Sequence, residues 1–192
     1  MNTNMKPFAI TNLFPGLRDA KTVTKTPYLR PGKYEVQVRR ASYFPVLAGG
    51  HGFVLEFNIL KSNYEDKLTE ALKALTGQPY KLEELNKTLP NKVDTIASWY
   101  VAIKPGVQGQ QLGWGNLKQF AADITSTDVD SPEFLAEVEM FISQIVQLGA
   151  LNGAVLPVET FYTKTKAGGD FTRHVWGSMI SGPTGVADPA QG

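Results

Sequence analysis

The chain of 192 residues contains no cysteine, which excludes disulfides, thiol catalysis and cysteine-ligated metals and leaves it indifferent to redox compartment. No apolar run approaches the ~20 residues of a membrane-spanning helix, and the opening MNTNMKPFAITNLFPG lacks the apolar core of a secretion signal. A soluble, cytoplasmic protein with no membrane partner is expected. Histidine is scarce: His51 and His174 stand alone, without His-x-x-His spacing, so neither a metal site nor a cofactor is expected. No nucleophile elbow, dinucleotide fingerprint or exposed triad occurs. Gly49-Gly50-His51-Gly52 is not followed by a helix pattern or Lys-Ser/Thr, so it is not a phosphate-cradling loop. The chain reads as a binding protein and not an enzyme.

Charge is also missing locally. From Gln119 to Tyr162 there is no Lys or Arg, only Asp123, Asp128, Asp130, Glu133, Glu137, Glu139 and Glu159. Residues 1–44 show the reverse, with Lys6, Arg18, Lys21, Lys25, Arg30, Lys33, Arg39 and Arg40 against Asp19 and Glu35. A net charge of +1 argues against a generally basic nucleic-acid coat, but the segregation allows one cationic and one anionic surface.

With 42% hydrophobic residues the chain can bury one substantial core. Residues 1–30, with scattered Pro and Thr, read as an irregular arm, 31–178 as the domain, and the Gly/Pro-rich 179–192 as a disordered tail. In KYEVQVRRASYF, Tyr34, Val36 and Val38 alternate with polar residues as in a half-buried strand, and continued parity puts Lys33, Gln37, Arg39 and Tyr43 on the wetter face. Phe53, Leu55, Phe57 and Ile59 form one face of a second strand, giving an antiparallel hairpin with a glycine-rich tip. Ser62-Asn63 caps a helix in which Leu68, Ala71, Leu72 and Leu75 recur at helical spacing and which ends near Gly77, and a short turn holding Leu82 and Leu85 follows. Ala97, Trp99, Val101 and Ile103 form the inner face of a third strand whose other face offers Tyr100 and Lys104. VQGQQLGWG reads as a loop presenting Trp114, after which Asn116 caps a helix with stripe Leu117, Phe120, Ala121 and Ile124. Ser131-Pro132 starts another, with stripe Leu135, Val138, Phe141 or Ile142, and Ile145.

Leu151 to Trp176 closes the domain. Valines, threonines and aromatics flank Gly168-Gly169, a pair suited to a two-residue hairpin turn. That turn sets Lys166 opposite Phe171, Lys164 opposite Arg173 and Tyr162 opposite Val175 on one cationic and aromatic face. Phe161 with Trp176, Thr163 with His174 and Thr165 with Thr172 share the other. Lysines on an exposed edge hairpin also serve simply to prevent aggregation.

Two strands, a helical insertion, a third strand, two helices and a closing hairpin predict a mainly β, α+β fold: a five-stranded OB-like Greek-key barrel with helical insertions and a protruding C-terminal hairpin. PGKYEVQVRRASY, GFVLEFNIL and LNGAVLPVETFYTKTKAGGDFTRHVWG resemble the OB-fold single-stranded DNA-binding proteins, and related replication and recombination proteins, of tailed bacteriophages. The resemblance spans roughly residues 28–178. It implies sequence-tolerant binding of single-stranded DNA without a cofactor and contact with replication or recombination proteins in the host cytoplasm; few contacts per protomer make self-association along a strand a further expectation. The binding residues it implies are Lys33, Arg39, Tyr43, Tyr100, Lys104, Tyr162, Lys164, Lys166, Phe171 and Arg173. The chain departs from that group in its terminus, which has only Asp188 in place of an acidic tail; the acids of 123–139 are the alternative recruiting surface. A protein-binding or structural phage component built on the same barrel is the competing expectation, because fold alone does not fix function.

Overall fold

The computed structural model describes residues 26–46, 49–164 and 170–183, with Asp170 and Phe171 described by backbone alone. The elements in order are β1 (Gly32–Pro45), β2 (His51–Ser62), α1 (Tyr64–Ala74), α2 (Leu82–Thr88), β3 (Ile96–Ile103), α3 (Val107–Thr125), α4 (Pro132–Gln147), β4 (Val155–Lys164) and β5 (Asp170–Trp176). All strands join one sheet in the order β3-β2-β1-β4-β5, each neighbouring pair antiparallel. The expected barrel is therefore an open five-stranded sheet with β3 and β5 at its edges.

Period-two alternation explains which face is buried. Val36 and Val38 of β1, Phe53, Leu55, Phe57 and Ile59 of β2, and Ala97, Trp99, Val101 and Ile103 of β3 all turn inward and are buried. Leu117, Phe120 and Ile124 of α3 and Ile145 of α4 complete the core from the helix side. The sheet curls strongly around this layer. Trp99 and Trp176, on opposite edge strands, meet at 5.2 Å, and Phe120 lies 5.0 and 5.1 Å from the two indoles. At the Gly32 end, the buried Tyr34 hydroxyl donates to the Arg30 carbonyl at 2.8 Å and accepts from the Asn91 N–H at 3.0 Å. Burial pushes its pKa up to about 12.

Several local expectations are revised. VQGQQLGWG is not a loop but the first half of α3, so Asn116 caps nothing. Two of its glycines serve close packing: a Cβ on Gly109 would sit 2.8 Å from Lys104 Cβ, and one on Gly113 2.8 Å from the Ala102 carbonyl oxygen and 2.9 Å from Ile103 Cα, whereas Gly115 faces open space. Losing ~1 kcal/mol of helix propensity per glycine is the cost of laying the helix directly on β3. In α4, Ser131 caps as expected, its Oγ accepting from Phe134 N–H at 3.2 Å, but Phe134 is buried and Leu135 exposed. Described structure continues on both sides of 31–178. Residues 1–25 of the expected arm lie outside the described residues, whereas Leu29 is buried in the core and its N–H bonds to the Ser98 carbonyl. Past Gly177, the N–H of Met179 bonds to Ile124 O and that of Ile180 to Val155 O. The tail beyond residue 183 again lies outside the described residues.

The closing hairpin has a different register. Tyr162 opposes Thr172, Phe161 opposes Arg173 and Lys164 opposes Asp170, so Gly168-Gly169 does not set the pairing as a two-residue turn. An odd slip exchanges the faces of a strand pair. Burial decides it: Val158 opposite Trp176 puts both side chains into the core. Because β1 pairs with β4 only up to Gly32–Thr160, the paired segments Phe161–Lys164 and Asp170–Arg173 run on past β1.

Candidate nucleic-acid interface

The sheet face turned away from α3 and α4 carries the part-exposed rings of Phe44, Tyr100 and Phe161. Tyr100 stands on β3 opposite Val54, and Phe44 near the end of β1 opposite Gly52. Both rings are over a third exposed, and Gly52 between them is what lets them settle there. A Cβ at that position would lie 2.8 Å from Tyr100 Cε2 and 3.0 Å from two Phe44 ring atoms. The result is a low platform of two aromatic side chains, a surface onto which unpaired bases can stack.

Further along this face the cations are engaged. Arg40 holds Glu56 at 2.7 Å, Lys61 holds Glu35 at 2.9 Å, and Lys33 lies 3.6 Å from Glu159. The Arg40 guanidinium bonding to Glu56, opposed by partial burial, keeps that carboxyl below the usual range. Beyond them, at the β4–β5 hairpin, the Arg173 guanidinium sits 5.9 Å over the Phe161 ring on the same face. The face thus has aromatic ends and a charge-balanced middle.

The ten sequence-derived residues do not converge on one spot. Lys33, Tyr100 and Arg173 share the outer face. Arg39 is exposed at a bulge between Val38 and Arg40. That bulge reverses parity, so Tyr43 comes to oppose Phe53 on the helix side, where it stacks on His51 at 4.9 Å and on Trp114 at 6.2 Å. Lys104 follows β3 beside the first turn of α3 and is exposed. Tyr162 and Lys164 occupy the opposite face of the hairpin from Arg173. Phe171 holds the register position opposite Thr163, and Lys166 lies outside the described residues. Twelve residues separate Gly32 from Phe44, so the hairpin and the platform stand on the order of 40 Å apart at ~3.3 Å per residue. Phe44 and Phe161 were missed; the glycine opposite Phe44 was the available signal for the first, and the hairpin register hid the second.

On the helix side, a groove of about 780 Å³ opens between α3, α4 and the end of β1. Its lining is largely apolar: Tyr43, Trp114, Leu117, Val138, Ile142 and Val146, with Glu139 and Lys118 at hand. Asp130 holds Lys118 at 3.1 Å.

Nearer the core, His174 stacks on Trp176 with 13° between the planes and lies 5.9 Å from Trp99. Burial lowers its pKa to about 4, against a weaker opposite pull from the Thr172 backbone. Its Nε2 and the Trp176 Nε1 are buried without a hydrogen-bond partner. Among the described residues no three His, Asp or Glu come together as a metal-holding group, and no helix is long and apolar enough to cross a membrane. No protein-family model matches the sequence, and no curated protein shows significant similarity to it.

Proposed function

We propose that the chain binds single-stranded DNA without sequence preference, bases stacking on Phe44 and Tyr100 while the strand runs over the outer sheet face toward Phe161 and Arg173. The observation that carries this reading is the pair of exposed rings flanking Gly52 on a strand face that the described helices leave open. The topology supports it as well. Spatial order β4-β1-β2-β3 is that of a Greek key. With β5 beside β4 and the edge-strand tryptophans in contact, the sheet is read as an OB-like, partly open barrel, an architecture whose sheet face receives oligonucleotides. The phrases that resemble the phage single-stranded DNA-binding proteins fall on these same strands.

Because Lys33, Arg40 and Lys61 already face carboxylates, few phosphates are neutralised, and stacking supplies most of the affinity. Single strands lose affinity with a slope of ~0.7 per neutralised phosphate in log–log form. Titrating labelled oligo-dT at two salt concentrations is expected to give saturable binding with a shallow slope, and an abasic oligomer of equal length should bind far more weakly. Equal binding of the two oligomers overturns the stacking reading. A second reading, a non-enzymatic phage scaffold or protein-interaction module, is favoured by the charge-balanced middle of the face; it requires no DNA binding even at low salt.

A further inference from the structure

The groove between α3 and α4 is unfilled by any described segment, and the helices around it bear unbalanced charge. Residues 107–147 contain six acids, Asp123, Asp128, Asp130, Glu133, Glu137 and Glu139, against Lys118 alone, and that lysine is occupied by Asp130. Apolar surface continues on α4, where Leu135, one turn before the lining residues Val138 and Glu139, is exposed. Such a patch on a folded domain marks a site that something covers.

The complementary sequence lies in the same chain. Residues 1–25 carry Lys6, Arg18, Lys21 and Lys25 against Asp19, interleaved with Phe8, Ile10, Leu13, Phe14 and Leu17. A basic segment with large apolar side chains is what an apolar groove set in acidic helices would take. The described chain begins at the edge of β3, where the Pro27 carbonyl accepts from Ser98 N–H. β3 itself is short, about 26 Å at ~3.3 Å per residue. Twenty-five residues reach up to about 80 Å, enough to round that edge. Tethering also gives the segment an effective concentration on the order of millimolar, ahead of any copy in dilute solution.

We infer that the basic N-terminal segment, residues 1–25, docks in the apolar α3–α4 groove of its own chain, its cations facing the acids of α4.

The absence of cysteine makes the test direct. A nitroxide on Thr11→Cys of the full chain should quench Trp114 emission at the groove, with Trp114→Phe supplying the background from the buried Trp99 and Trp176. The expected result is loss of at least half of the Trp114 signal, unchanged when the labelled protein is diluted tenfold into unlabelled protein. Glu139→Lys, on an exposed position, should restore much of the emission. A Trp114 signal as bright as in the unlabelled chain overturns the inference, as does quenching that fades on that dilution, which would assign the segment to a second copy. If Thr11→Cys folds poorly by circular dichroism, Thr3→Cys carries the label and the same outcomes decide.

Discussion

Trp99 and Trp176 meet edge to face with ring centroids 5.2 Å apart, although β3 and β5 are the two edges of the sheet. The contact closes the inner layer where no strand pairing does. Removing Trp176 should therefore open the core: Trp176→Ala is expected to cost ~3–5 kcal/mol, the range for deleting a buried large aromatic. Trp114→Ala, at a half-exposed ring, should cost under about 1 kcal/mol. Urea midpoints of the two variants check the contrast.

His174 adds a pH term. Its folded pKa is depressed to about 4 from an ordinary 6.5, so between these values the unfolded chain holds a proton that the folded chain refuses. The unfolded state then binds more protons, and stability falls as pH drops from 6.5 toward 4, by up to about 3 kcal/mol. Glu56, whose pKa is lowered, contributes stability above its ordinary 4.5 that is lost in more acid solution. Comparing wild type with His174→Leu at pH 7 and pH 5 isolates the histidine: the variant should lose less stability between the two than wild type does.

Gly52 offers a test of the platform that leaves both rings in place. In Gly52→Ala the new methyl must displace Tyr100 and Phe44, whose ring ends are movable, so the expected stability loss is below about 1 kcal/mol. Oligo-dT affinity should nonetheless fall severalfold, measured by anisotropy beside the urea midpoint.

Alternation made the inner faces of β1, β2 and β3 legible, because large apolar residues recur at every second position among mostly polar neighbours such as Gln37, Glu56, Asn58 and Ser98. Three features were set by contacts distant in sequence and could not be read that way. The bulge after Val38 turned Tyr43 to the helix side. Burial of Val158 and Trp176 overrode Gly168-Gly169 in fixing the hairpin register, and so parted Tyr162 and Lys164 from Arg173. Glycines 109 and 113, which look like loop residues, lie inside α3 because Lys104 and the end of β3 leave no space for side chains there. For the site, Lys33, Tyr100 and Arg173 share the outer face, while the ion pairs that occupy Lys33, Arg40 and Lys61 depend on partners from neighbouring strands.

If bases stack on Phe44 and Tyr100, removing both rings must abolish most binding without unfolding the chain. Each stack contributes ~1–3 kcal/mol, so Phe44→Ala/Tyr100→Ala should weaken oligo-dT binding at least tenfold at low salt, with the urea midpoint within about 1 kcal/mol of wild type. Wild-type affinity in that double variant, or no binding by the wild-type protein even at low salt, would contradict the DNA-binding account.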